Sequence, residues 1–219
     1  MKKIAIFLVF LTGCIPYKSY LKTDDICGFD MTITEEEKSY NPSIYGDLTQ
    51  GIKIDSGGFT LVTYKYQDKL GGYFLSRTNK TSQISKWINY DSNGRVSLIY
   101  FVYEMGGLIV GKETHYDSLG NITQVIDHRQ VDKYPICYKE ALMIAEKLKP
   151  KKDSILGIDR EWEATVTDTL YYWEVFVKEP KPDKDEPTLG DGWIYRIDAQ
   201  TGKLLRKMQL IQGHDDTAP

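Results

Sequence analysis

Three histidines, three cysteines and a scatter of carboxylates are the residues from which this chain could build reactive chemistry. His115, His128 and His214 stand apart in sequence, with no H-E-x-x-H pair and no cysteine spacing that would complete a zinc site. No G-x-S-x-G elbow, P-loop or dinucleotide fingerprint occurs. A nucleophilic cysteine needs a histidine in a supporting motif, and neither Cys27 nor Cys137 has one. Glu161 and Glu163 would share one face of a strand, where paired carboxylates could serve acid–base hydrolysis, but a period-two strand ordinarily turns such a polar face to water. Asp183, Asp185, Glu186 and Asp191 sit in "KEPKPDKDEPTLGDG", residues 178–192, without the D-x-D-x-D-G order of a calcium loop. The expectation is no catalytic residue, no metal and no cofactor, with a carboxylate-based hydrolase as an alternative of another class.

The first cysteine has different work. Met1-Lys2-Lys3 is a short positive start, and residues 4–11 form an apolar run too short to span a bilayer, the pattern of a secretory signal. "LTGC" at residues 11–14 resembles the lipobox of bacterial lipoproteins. The resemblance implies removal of residues 1–13 and acylation of Cys14, by palmitate among other chains. At about 0.8 kcal/mol per buried methylene, several chains would hold the body on a membrane without crossing it. By the same resemblance Ile15, in place of an aspartate, implies the outer membrane and a periplasm-facing body if the organism has two membranes. No later stretch offers 18 or more consecutive apolar residues.

Charge and composition fit an exported globular body. The chain carries 28 Lys+Arg against 31 Asp+Glu, and loss of Lys2 and Lys3 with the leader leaves 26 against 31, a net charge of −5. Such an acidic surface disfavours nucleic acid as a partner. Aromatic residues at 12%, 16 of them tyrosines, favour β-structure. With Cys14 assigned to lipid, Cys27 and Cys137 are candidates for a disulfide, which an oxidising compartment permits; a buried free Cys137 is the alternative.

Residues 14–50 carry the acidic run Glu35-Glu36-Glu37 and no sustained period, which predicts a lipidated terminus and tether. From residue 51 to 131 short alternating segments at 59–66, 72–77, 82–90, 95–103, 108–116 and 122–129 are separated by glycine turns, which predicts an antiparallel β-meander. Within it "INYDSNGRV" and "THYDSLGNI" share Tyr-Asp-Ser-x-Gly at an offset of 26 residues. The unit is similar to the tyrosine-aspartate repeats of large bacterial surface and toxin-shell proteins. The aspartate can accept from the turn backbone and the glycine can take positive φ, so both copies are expected to be hairpins with no ligand role.

Residues 135–150 switch to a helical period, opened by Pro135 and closed by Pro150, with Cys137, Ala141, Ile144, Ala145 and Leu148 on one face. Strands are predicted at 162–167, 171–178, 193–198 and 203–209, followed by a flexible tail at 210–219. "EALMIAEKL", "YYWEVFVKE" and "GWIYRIDAQTGKLLR", with Asp198, Thr201 and Gly202 in the last turn, together resemble a PepSY domain over residues 134–209. The expected fold is therefore α+β, mostly β: an antiparallel meander followed by a PepSY-like helix packed on an antiparallel sheet.

That resemblance implies a non-catalytic module that binds or restrains an envelope protein such as a peptidase. The candidate contacts are Tyr171, Trp173 and Trp193, with Asp183 and Asp185 of the long loop; packing of those aromatics into the core is the competing expectation. A second class of function, immunity against an exported toxin, is motivated by small size, acidic charge, membrane anchoring and the toxin-like repeat units.

Overall fold

Short glycine turns leave consecutive strands no choice but to run antiparallel. The computed structural model describes residues 26–41, 52–66, 71–179 and 192–210. In it β1 (Ile52–Ser56), β2 (Phe59–Lys65), β3 (Tyr73–Asn79), β4 (Ile84–Tyr90), β5 (Val96–Tyr103), β6 (Leu108–Tyr116) and β7 (Ile122–Asp127) form one seven-stranded sheet in sequential order. β1 was not foreseen; it is the strand on the near side of the Asp55-Ser56-Gly57-Gly58 turn.

Both Tyr-Asp-Ser-x-Gly units form the same hairpin. Asp91 Oδ1 accepts from the backbone N–H groups of Asn93 at 2.9 Å and Arg95 at 2.8 Å. Asp117 Oδ1 accepts likewise from Leu119 at 2.8 Å and Asn121 at 2.9 Å. A register shift precedes each turn, at Asn89/Tyr90 and at His115/Tyr116.

The single α-helix among the described residues, α1 (Tyr138–Leu148), starts where the Cys137 N–H donates to Glu140 Oε2 at 2.8 Å. It buries Tyr138, Ala141, Ile144 and Ala145, while Leu148, expected on the same face, is exposed. β8 (Ser154–Ala164), β9 (Thr169–Lys178), β10 (Gly192–Asp198) and β11 (Leu204–Leu210) follow as a second antiparallel sheet, ordered β11-β10-β9-β8. Of the strand predicted at 162–167, residues 162–164 are the far end of β8, which begins at Ser154, and 165–167 fall in the turn before β9. Its register shift between Ile155 and Gly157 interrupts the alternation by which a strand is recognised.

The two sheets stay separate, and one buried cluster lies between them, drawn from both sides of residues 131–134. Ile84, Phe101, Leu108 and Val110 of the meander are buried in one cluster with Ala141 and Ile144 of α1 and with Ile158, Trp173, Val175 and Tyr195 of the second sheet. The helix and both sheets close on that cluster, and burial of its aliphatic and aromatic side chains is the dominant favourable term for each.

Of the tether expected over 14–50, residues 26–41 are described and they pack on the body, while 14–25 and 42–50 lie outside the described residues. Residues 26–41 lie as a strap across the core face of the meander. The Phe29 ring meets Phe101 edge-on at 5.3 Å, and Tyr40 stacks on Tyr73 at 4.3 Å. Lys86 Nζ donates to Glu37 Oε1 at 2.7 Å and to the Thr32 carbonyl at 2.6 Å, and Ser39 bridges Arg95. Tyr40 of the strap forms a second buried cluster with Leu75, Ile88, Tyr90, Val96, Ile99 and Tyr116 of the sheet. Cys27 and Cys137 are joined by a disulfide across 110 positions, their Cα atoms 6.3 Å apart. By chain entropy a crosslink of that span contributes about 4–5 kcal/mol.

Candidate functional site

Where strap, meander and second sheet meet, the surface opens into a cleft of about 280 Å³. The strap contributes Phe29 and Met31, β6 contributes Val110 and Gly111, and the chain after β7 contributes His128, Arg129 and Val131. Tyr134, just before α1, and Arg160 and Trp173 of the second sheet complete the wall beside the Cys27–Cys137 disulfide. Glycine at 111 is required for this geometry: a Cβ there would lie 2.7 Å from the Phe29 ring and 2.8 Å from Met31 Sδ.

Strand alternation puts Arg160 on the core-facing side of β8, opposite Trp173 in register and in line with Ile158. Its guanidinium lies 5.3 Å from the centre of the Tyr134 ring and 5.5 Å from that of Trp173, within cation–π range of both. The rings are themselves fixed, since Tyr134 donates to the Glu161 carbonyl and Trp173 Nε1 to the Ile136 carbonyl, each at 2.8 Å. Burial lowers the Arg160 guanidinium from its usual value against the opposing influence of Tyr134 and Asp159, although arginine stays charged at any physiological pH. The Tyr134 hydroxyl is pushed up to about 12, chiefly by burial and against the pull of Arg160.

The other two basic side chains of the cleft, Arg129 and His128, have partners. Arg129 Nε donates to Asp127 Oδ1 at 2.9 Å, and this pairing holds the Asp127 carboxyl down at about 2. Glu113 Oε2 accepts from His128 Nε2 at 2.8 Å while its Oε1 accepts from His115 Nε2 at 2.6 Å. Burial alone would raise the Glu113 carboxyl; the bonds from His128 and His115 outweigh it and hold the group below its usual range. Two of the histidines that stand apart in sequence therefore share one carboxylate. Among the described residues no group of three or more His, Cys, Asp or Glu side chains is placed to hold a metal ion.

The aromatic residues expected to face a partner do not form one exposed patch. Trp173 is only 2% exposed and belongs to the shared core. Tyr171 is half-buried with its ring 5.5 Å from Tyr134. Trp193, also half-buried, donates from Nε1 to Glu179 at 2.7 Å and carries Lys207 Nζ 3.9 Å from its ring centre. Packing into the core wins at Trp173 because alternation along β9 sends residues 173, 175 and 177 inward together. Cys14, Asp183 and Asp185 lie outside the described residues.

Glu161 and Glu163 do share the outer face of β8, where Arg196 lies 3.8 Å from Glu163 and 2.8 Å from Glu174. Burial, then the charges of Asp159 and Glu174, raise the Glu161 carboxyl, partly offset by Arg196. The pair therefore belongs to an ion-paired sheet surface. Arg160 and Tyr134 were missed from sequence. A single arginine in the alternating stretch of residues 158–162 was the only signal, and a polar residue in a strand is normally assigned to the wet face.

Comparison with protein families, with curated proteins and with solved structures finds no match.

Proposed function

We propose that the chain is a lipid-anchored protein of the bacterial envelope whose body is a non-catalytic, PepSY-like module that binds or restrains another envelope protein, such as a peptidase. The Cys27–Cys137 disulfide is the observation that carries this reading, because such a bond persists in oxidising compartments and is rare in the cytosol. It agrees with a leader that ends in "LTGC". The order helix, then four antiparallel strands, with α1 packed on β8 and β9, supports the PepSY-like part of the proposal. Among the described residues no helix is long and apolar enough to cross a membrane, and the attachment in this reading is made through Cys14.

The experiment is metabolic labelling with an alkyne-bearing palmitate analogue, followed by fractionation and crosslinking in the producing cell. Label on the wild-type chain, loss of label and of membrane association in Cys14→Ala, and a crosslinked envelope protein of reproducible mass support the reading. An unlabelled chain with free thiols at Cys27 and Cys137 in the cytosolic fraction overturns it.

A further inference from the structure

We propose that the cleft between strap, β6 and β8 binds a small organic carboxylate with an apolar body, its carboxylate held by the Arg160 guanidinium and its ring or short chain lying against Phe29, Met31 and Val110. The claim is separate from protein capture and stands on the geometry of the cleft. The Arg160 side chain makes no hydrogen bond or ion pair among the described residues, and its Nε is buried without a partner. Removing that N–H from water without an acceptor is costly, since it forfeits a hydrogen bond, while the rest of the half-buried fork stays open to an incoming anion. Two aromatic faces recover part of that cost through cation–π attraction but offer no acceptor in the plane of the fork.

The surroundings set the charge and shape of what fits. Among the described residues no Asp or Glu lines the cleft. Arg129 and His128 are already matched by Asp127 and Glu113. The neighbours of Arg160 on its own strand, Asp159 and Glu161, point to the opposite face, where they pair in register with Glu174 and Tyr172. One unmatched guanidinium calls for one unit of negative charge, and its planar fork suits the two oxygens of a carboxylate. The rest of the wall is largely apolar and aromatic, and about 280 Å³ lies at the lower edge of the ~300–1,000 Å³ usual for small-molecule sites. The occupant is therefore of the size of one aromatic ring or a short aliphatic chain. A free organic acid and the C-terminal residue of a peptide both present that chemistry.

Four probes decide the matter on the full chain purified in detergent: phenylacetate, phenylacetamide, acetyl-Ala-Ala-Phe with a free carboxylate, and the same peptide amidated. Binding is read by calorimetry. The acids are expected to bind about tenfold or more tighter than the matching amides, as the loss of a charge-assisted bond requires. Arg160→Gln should abolish that preference and Arg160→Lys should keep part of it, with near-UV circular dichroism checking that each variant is folded. Should Arg160→Gln fail to fold, the acid-to-amide ratio on the unaltered chain still decides. Equal affinities for phenylacetate and the peptide acid identify a free organic acid as the source, and tighter binding of the peptide acid identifies a chain end; either supports the proposal. Acid and amide binding equally well, or no heat from any probe at about millimolar concentration, overturns it.

Discussion

The two Tyr-Asp-Ser-x-Gly hairpins have the same local structure and send their tyrosines into one buried cluster, but the strap crosses the turn of only the first. At the first, the Gly94 carbonyl accepts from the Tyr40 N–H at 2.7 Å, Ser39 bridges Arg95, and the Tyr90 hydroxyl donates to the Glu37 carbonyl at 3.0 Å, so the strap closes over the turn. At the second, Leu119 is 80% and Ile122 60% exposed at the edge of the sheet. Both aspartates nonetheless accept the same two backbone bonds. A turn motif thus dictates its own backbone, while what it is worth to the molecule depends on what the rest of the chain lays across it.

The largest test of that contrast removes the tyrosines. Both rings are buried in that cluster, so each alanine is destabilising, and Tyr90→Ala, at about 3–5 kcal/mol, should cost more than Tyr116→Ala in urea unfolding, because Tyr90 also loses a ring contact with Tyr40 at 5.3 Å and its bond to the strap. Equal costs would show that the strap adds nothing to the first hairpin. Next, Lys86→Ala should cost about 2 kcal/mol by breaking its bonds to Glu37 and Thr32. In that variant hydrogen exchange at residues 91–95 should rise towards the rate at residues 117–121, as the strap lifts from the first turn.

Alanine at the turn glycines tests the contrast more finely. Gly94 and Gly120 have φ of +76° and +85°, so each alanine meets the left-handed penalty of about 1–2 kcal/mol. Only at Gly94 would the new Cβ also touch the strap, 3.4 Å from Tyr40 and so in ordinary contact, whereas at Gly120 it meets nothing within 4 Å. Gly94→Ala should therefore cost no more than Gly120→Ala in thermal unfolding, and a larger loss at Gly94 would show that the strap closes on the turn more tightly than contact distance.

The smallest effect is a titration. The Asn121 side chain, and then backbone N–H groups, hold the Asp117 carboxyl below its usual range. A depressed carboxyl adds stability that is complete above its unfolded value, about 3.9, and is lost as pH falls through the lower folded value. Carbon-detected NMR should place the Asp117 midpoint below 3.9 in the folded chain, and Asn121→Ala should move it up. An unmoved midpoint would assign the shift to the backbone alone.

The meander was legible because each turn announces itself: Asp-Ser-x-Gly, Gly-Gly and Asn-Lys breaks fall between segments of period two, and the observed strands follow them. The strap was not. Phe29, Met31 and Ile33 do alternate with polar residues, but three positions beside an acidic run are too few to establish a period, and they pack on the sheet without joining it. The start of β8 was lost for a related reason, since the shift at Ile155/Gly157 reverses which residues face inward. Nor could the cleft be anticipated, because it depends on Arg160 occupying an inward position among apolar residues and on Phe29 reaching it from 131 positions away.

The link between Cys27 and Cys137 also decides how the body bears mechanical load. Tension on the chain ahead of residue 27 is delivered through a covalent bond to the foot of α1 and so to the deepest part of the packing. Without it, the same tug would peel residues 28–41 off the sheet one contact at a time. The crosslink converts an unzipping geometry into one in which many contacts must fail together.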